Sequence, residues 1–446
     1  MGRVVSVLVV AIVAIAAQAF PQTQANGVRP IVVQGAMQIE VERLVGRLEN
    51  AMLDQVSGWN FWRGTVNGYP VIVSKTLKGV ANAELFAVLS PTGTHAKDFA
   101  AKHGVKHAFT DLGKLLESEA DLVVLGCPND LHCEITEKAA SAGKHVVCEK
   151  PLATSLEEAD RMIAACRKAK VKLMYAEELC FTPKYVRLKR LVDEGALGRI
   201  YMVKQCEKHD GPHAAWFWDV KRSGGGVTLD MGCHAFEFFR WMLGAPASGR
   251  GKGKVTDQQT QSHEAPTGES IPVRKARAVS VYADMDTFVH QEKTKGEDHA
   301  VVIVRFETAE GEALAVAEES WAKKGGMDDS AEVYGSAGVA YADLLQGNSI
   351  LAYSDTGYSY AVEKAGTTRG WSFCTYEELW NYGFPQEFAH FVDCVADDRE
   401  PLETGEDGRA VLEIILAAYQ SAGTGRKIVL PVKERPRRPI DLWKTP

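Results

Sequence analysis

Apolar residues in this chain fall into short unbroken runs separated by stretches of helical period. Residues 121–151 show the pattern most clearly: an apolar run at 122–125, an amphipathic stretch closed by Gly143, and a second apolar run at 146–148. Parallel strands are buried on both faces and read as continuous apolar runs, so this order predicts strand, helix and strand of a parallel sheet. Residues 85–89 predict another strand and 94–103 a helix closed by Gly104. Thr110 caps a short helix bearing Leu112, Leu115 and Leu116. Ser155 to Glu158 makes a capping box ahead of a helix with the stripe Leu156, Ala159, Met162, Ile163 and Cys166, and a strand follows at 171–175.

Past residue 181 the period changes. Alternating runs at 278–289, 300–306, 314–319, 331–334 and 339–344, with a strand at 200–204, predict a mostly antiparallel sheet. Helices are expected at 183–194, 227–243, 386–396 and 405–421, a loop insertion at 244–276, and a polar tail from 431. The fold class is therefore α/β: a Rossmann-like, doubly wound parallel sheet followed by an α+β domain with a large, mostly antiparallel sheet. The parallel half is incomplete by this count, since no first strand or Gly-x-Gly-x-x-Gly turn precedes residue 84. The run at 31–34 and the helical period at 36–48 offer one repair, taking the places of the missing strand and helix.

The N-terminus adds a separate feature. A positive start, an apolar run at 4–17 and small residues near 17–25 read as a secretory signal peptide, too short for a comfortable membrane span. The alternative is a buried first strand. The expected division is 1–25 signal peptide, 26–83 N-terminal segment, 84–178 Rossmann-like domain and 179–446 substrate and oligomerisation domain. Export to the periplasm or outside the cell follows if the leader acts, and a cytoplasmic protein if it does not.

Composition narrows the function. The 446 residues carry a formal charge of −7 and no basic footprint, which excludes nucleic acid as the expected partner. The nine cysteines show no Cys-x-x-Cys spacing, so buried thiols are expected and no metal site.

In open parallel sheets ligands bind beyond the carboxyl ends of strands. There stand Cys127-Pro128-Asn129 with His132, and Glu149-Lys150-Pro151. Farther on, Gly224-Gly225-Gly226 leads into a helix where Asp230 and His234 are spaced i, i+4 and are expected to touch. Proton transfer at a substrate oxygen needs a base, and a cation stabilises the negative charge left on that oxygen. His234, oriented and made more basic by Asp230, is the candidate base. Lys150, with its pKa depressed by burial, is the candidate partner of the reacting oxygen.

These motifs, in this order, resemble the Gfo/Idh/MocA family of sugar and inositol dehydrogenases over residues 84–442. The resemblance implies NAD or NADP as cofactor, held near Cys127, Pro128, Asn129, His132 and Glu149, with Glu149 pairing Lys150 or holding the ribose. Ser90 stands where an acidic residue often holds the adenosine ribose in that family, which leaves NAD and NADP unresolved. The resemblance also implies a sugar or polyol pocket lined by Tyr175, His209, His213, Trp216 and Trp218, and a possible homo-oligomer. Where many relatives carry Asn-Arg-Arg after the sixth strand, this chain has Glu177-Glu178-Leu179.

Residues 26–83 resemble something else. Gly35-Ala36-Met37 with Glu40, and Asn67-Gly68 as a hairpin turn, look like the opening of a methylthioadenosine/adenosylhomocysteine nucleosidase, truncated near Asn82. An NAD(P)-dependent oxidoreductase is the expected function. The alternatives are a chimera with weakened cofactor binding and, further off, a nucleosidase.

Overall fold

The computed structural model describes residues 5–11, 32–35, 49–56, 59–66, 69–75, 83–246, 273–345, 350–354, 367, 369–374 and 378–443, with side chains within 83–245, 274–345, 367, 369–370 and 379–443. Strands β1 (Val5–Ala11), β2 (Val32–Gly35), β3 (Glu49–Val56), β4 (Trp59–Val66) and β5 (Tyr69–Lys75) come first, then β6 (Ala83–Leu89), β7 (His107–Phe109), β8 (Leu122–Gly126), β9 (His145–Glu149) and β10 (Leu173–Ala176). Six of them pair in parallel in the order β10-β9-β8-β1-β6-β7. This is a doubly wound sheet whose order reverses between β1 and β8.

The first strand is therefore present, and it comes from the run that also reads as a leader. Val5 pairs with Ala83 on one side and Ala11 with Gly126 on the other. A β-branched apolar run suits a strand covered on both faces, which is why one pattern serves both readings. The repair by residues 31–34 is overturned: Val32–Gly35 pairs with β5 in a separate sheet of order β2-β5-β4-β3. Residues 36–48, with Glu40, and the turn at 67–68 lie outside the described residues, although Val66 and Tyr69 on either side of that turn are paired.

Helices α1 (Gly93–His103), α2 (Leu112–Leu116), α3 (His132–Ser141) and α4 (Leu156–Ala169) connect the parallel strands. Asp111, rather than Thr110, caps α2 by accepting the Lys114 N–H. Ser155 caps α4 through the Glu158 N–H, while the Glu158 carboxylate reaches back to the N–H and hydroxyl of Thr154.

After α5 (Pro183–Asp193) comes β11 (Ile200–Lys208), then α6 (Val220–Ser223), α7 (Val227–Asp230) and α8 (Gly232–Met242). A ribbon of β12 (Ala245–Pro246) and β13 (Val273–Arg274) precedes β14 (Arg277–Asp286), β15 (His299–Thr308), β16 (Gly311–Ser320), β17 (Asp328–Gly335) and β18 (Val339–Asp343). The remaining elements are a hairpin of β19 (Ile350–Ser354) with β20 (Gly370–Cys374), then α9 (Glu378–Tyr382), α10 (Phe384–Ala396), α11 (Gly405–Thr424) and β21 (Ile428–Val429). The second sheet runs β18-β17-β11-β16-β15-β14-β21, antiparallel except for β11 beside β16.

Helix α11 lies against this sheet, where Ser421 Oγ accepts the Ala283 N–H and Val411, Leu412, Ile415 and Tyr419 are buried. Burial of this kind contributes about 25 cal/mol per Å² of apolar surface and is what holds the two layers together. The tail after 431 is not merely polar: the Ile440 N–H donates to the Gly224 carbonyl and docks the C-terminus on the glycine run. Eight described cysteines carry free thiols, seven of them buried.

Candidate active site

The site forms where the carboxyl edge of the parallel sheet meets α7 and α8. Strand β9 ends at Glu149, and Lys150 follows with its ammonium directed at α7. Lys150 Nζ donates to Asp230 Oδ1 at 2.9 Å and to the Asp230 carbonyl at 2.8 Å. Trp321, just past β16, donates its indole N–H to Asp230 Oδ2 at 3.1 Å, so both carboxylate oxygens are engaged. Burial alone would raise the Asp230 pKa, but the charge and hydrogen bond of Lys150 hold it below the usual range.

Lys150 departs from expectation. Burial works to lower its pKa, but Asp230, Cys233, Glu207 and Glu178 together raise it well above the ordinary lysine value. It is a fixed, largely buried cation paired with Asp230.

The Asp230–His234 contact is also not the one that spacing suggested. The helix breaks at Met231, between α7 and α8, so the two side chains do not share one continuous helical face. His234 Nδ1 instead meets Glu177 Oε1 at 2.8 Å, with Glu178 Oε2 at 3.7 Å. Nor is the imidazole made more basic. Burial pulls its pKa down to about 4, outweighing the neighbouring carboxylates. Burial likewise pushes Glu177 up to about 8, and Glu149 and Glu178 each up to about 7.

The turn after β8 braces this edge. His132 is fully buried, its Nδ1 3.0 Å from the Pro151 carbonyl and its Nε2 3.0 Å from the Cys127 carbonyl, which ties the ends of β8 and β9 together. Asn129 Nδ2 donates to the Ser223 carbonyl at 2.8 Å and links the same turn to α6. Both side chains, expected at the cofactor, are turned into the protein. Cys127 and Pro128 are buried beside them, and burial pushes the Cys127 thiol up to about 12. Ser90 is buried, and its Oγ accepts the Thr92 N–H at 3.3 Å.

The expected substrate residues separate into two groups. Tyr175 is wholly buried against Gly408 of α11 and does not line a cleft. His213 is exposed, and Trp216 stacks on Phe217 at 3.8 Å between centroids. Trp218 packs edge-on against Trp321 at 5.2 Å and His290 at 5.0 Å, one ring away from Asp230. His209 is buried and close enough to Asp230 for its charge to act on that carboxylate.

Trp321 and Glu207 have no place in the sequence reading, and Glu177 and Glu178 stand there only as a departure from the Asn-Arg-Arg of many relatives. Acidic residues set in the apolar context of β10 and its continuation were the available signal for Glu177 and Glu178. Trp321 had none. Among the described residues, donor atoms of Glu177, Cys233 and His234 lie within 4.8 Å of one another. The Cys233 thiol already donates to the Asp230 carbonyl at 2.9 Å, and burial raises its pKa well above the usual range. Two separate hydrogen bonds thus occupy the trio, Cys233 to Asp230 and His234 to Glu177.

Comparison with known proteins places the fold in a family. Residues 67–177 match the oxidoreductase family, NAD-binding Rossmann fold, and residues 189–430 match the C-terminal alpha/beta domain of the same family. The chain belongs to the Gfo/Idh/MocA oxidoreductase family. It is 27% identical over 362 residues to myo-inositol 2-dehydrogenase of Thermotoga maritima, covering 80% of this chain and 95% of that protein. Against scyllo-inositol 2-dehydrogenase (NAD(+)) of Bacillus subtilis it is 26% identical over 356 residues, covering 79% and 91%. The crystal structure of GenD2 from gentamicin A biosynthesis, in complex with NAD, superposes with a TM-score of 0.67 at 30% identity, covering 79% of this chain and 90% of that one.

A family cofactor of the NAD type fits the nicotinamide side of this edge. Glu149 and Lys150 stand at the end of β9, and the Glu149 carboxyl, raised to about 7 by burial, is suited to a ribose hydroxyl. The adenosine side is poorer. Ser90 spends its oxygen on Thr92, and no glycine occurs between Gly2 and Gly27 to let a pyrophosphate approach the end of β1.

Proposed function

We propose that this chain is an NAD(P)-dependent dehydrogenase of a sugar, polyol or inositol-like alcohol, with Lys150, Asp230 and His234 as its working residues. The carrying observation is the Lys150–Asp230 pair, held by Trp321, at the edge of a parallel sheet beside a buried imidazole. Nicotinamide, when bound, supplies the hydride acceptor or donor. Lys150 hydrogen-bonds the reacting oxygen and stabilises negative charge growing on it. Asp230 fixes the ammonium in place and balances its charge. His234 takes the hydroxyl proton in oxidation and returns it in reduction. The inositol dehydrogenases among the relatives support the substrate class, and Trp218 and Trp216 suit the apolar faces of a ring.

The missing phosphate-side glycine favours a second reading, a folded chain with weakened cofactor binding. Titrating the purified chain with NADH and NADPH while following nicotinamide fluorescence separates the two. Saturable binding below about 1 mM, within the usual range for metabolic enzymes, is expected, followed by turnover with a panel of polyols. No saturation at that level would leave the second reading in place.

The two readings of the N-terminus compete for the same residues. Cleavage after a leader would remove β1 and leave β6 and β8 with unpaired edges in the middle of the sheet, which supports retention. Intact-mass measurement on the folded chain is expected to find residues 5–11 present; their absence from a folded, cofactor-binding protein would support export. Among the described residues no helix is long and apolar enough to cross a membrane. The nucleosidase-like start remains a resemblance only. Exposed Tyr201, Tyr282, Val301, Val339 and Tyr341 on the second sheet support a homo-oligomer formed through that face.

A further inference from the structure

Two carboxylates near His234 have separate duties. Asp230 spends Oδ1 on Lys150 and Oδ2 on Trp321. Glu177, on the segment after β10, places Oε1 2.8 Å from His234 Nδ1. It is wholly buried, its Oε2 has no hydrogen-bond partner, and besides the imidazole the Leu179 backbone N–H acts on its charge. Building on the dehydrogenase reading, we infer that Glu177 is the positioning residue of the imidazole, setting by one shared proton whether His234 presents a lone pair or a hydrogen at Nε2.

The chemistry follows from counting protons. With Glu177 ionised, Nδ1–H donates to Oε1 and Nε2 is free to accept the proton of a substrate hydroxyl. With one more proton on the pair, Nε2 carries a hydrogen and can donate to a substrate carbonyl. In oxidation the substrate loses a hydride from carbon to the nicotinamide cofactor and a proton from oxygen to Nε2, and reduction returns both. The low- and high-proton forms of one dyad thus serve opposite directions of one reaction.

The surroundings set where the change occurs. Lys150 and Lys275 are the cations acting on the pair, against the carboxyl groups of Glu178, Asp230, Glu149, Glu237 and Glu387. Cys233 of α8, Cys180 after β10 and Tyr175 of β10 also face it, and burial holds all three well above their usual ranges. Burial dominates both members, raising Glu177 to about 8 and lowering His234 to about 4. The pair titrates as a unit, and the lone-pair form is gained as pH rises through the upper value.

Nitrogen-15 NMR of histidine-labelled full-length chain reads the tautomer without substrate or cofactor, with His234→Gln identifying the signal. Wild type is expected to pass from Nε2–H to Nδ1–H between about pH 6 and about pH 10, either side of the shared proton's range. Glu177→Gln, whose amide oxygen accepts from Nδ1–H, is expected to hold one tautomer throughout, while Glu178→Gln keeps the transition. With myo-inositol and NAD+ as the kinetic probe, wild-type oxidation is expected to rise about tenfold from about pH 7 to about pH 9, and Glu177→Gln to lose that rise. A transition that survives in Glu177→Gln, or is absent from wild type, overturns the assignment. A tautomer switch in a chain that turns over no alcohol would sink the dehydrogenase reading instead.

Discussion

Lys150→Met is expected to lower hydride transfer by about 10³-fold, the scale on which removing one preorganised charge-stabilising donor acts. Methionine keeps the unbranched stem and fills the same space, so the loss isolates the ammonium. Cofactor affinity should change little, because Lys150 is bound through its Nζ to Asp230 and the role proposed for it is toward the substrate oxygen. Single-turnover kinetics beside NADH binding separates the two quantities, and equal losses in both would refute the role. The variant also carries a stability penalty. Asp230 stays buried and keeps the Trp321 indole N–H but loses its ammonium partner, and breaking such a pair costs about 3–5 kcal/mol. Lys150→Met combined with Asp230→Asn is expected to recover most of that stability in urea unfolding without recovering turnover.

Gly226→Ala is expected to destabilise the fold by about 3 kcal/mol or more, at the upper end for overpacking. A methyl there would stand 2.1 Å from the Glu297 carbonyl oxygen and 2.7 Å from its nitrogen, both backbone atoms that cannot turn aside. The residue sits in a tight knot. Its N–H donates to the Tyr419 hydroxyl, that hydroxyl donates to Glu297 Oε1, and the same oxygen accepts the Thr228 N–H. This knot sets the start of α7, which carries Asp230, so turnover should fall along with stability. Gly325→Ala is the control: its φ of +84° strains an alanine, but nothing lies within 4 Å of the added methyl. A chemical midpoint for Gly226→Ala no lower than that of the control would show that the glycine run is not required by packing.

The parallel core was legible because its strands are buried on both faces. Residues 122–125 and 146–148 could hardly be anything but strands ending at a ligand-binding edge, and they were found as β8 and β9. Lys150, Asp230 and His234 were legible as residue types suited to proton and hydride chemistry. Their partners were not. The i, i+4 spacing of Asp230 and His234 presumes an unbroken helix, and the break at Met231 removes that premise. His132 and Asn129 read equally well as ligand contacts or as braces, since a polar side chain at a strand end serves either purpose.

The N-terminus shows the same limit from the other side. A continuous apolar run is what a leader needs and what a central parallel strand needs, so the pattern at residues 5–11 cannot choose between them. Pairing with both β6 and β8 is a property of two distant segments, invisible in either alone.

By itself, then, the amino-acid order determined the α/β class, the strand ends that carry chemistry and the groups able to move a proton, because periodicity and side-chain pKa are local properties. Only the tertiary structure decided that Asp230 serves Lys150 and Glu177 serves His234. The second pairing joins residues 57 positions apart, and both the acidic neighbours that raise the lysine pKa and the burial that lowers that of the imidazole exist only once the chain has folded around them.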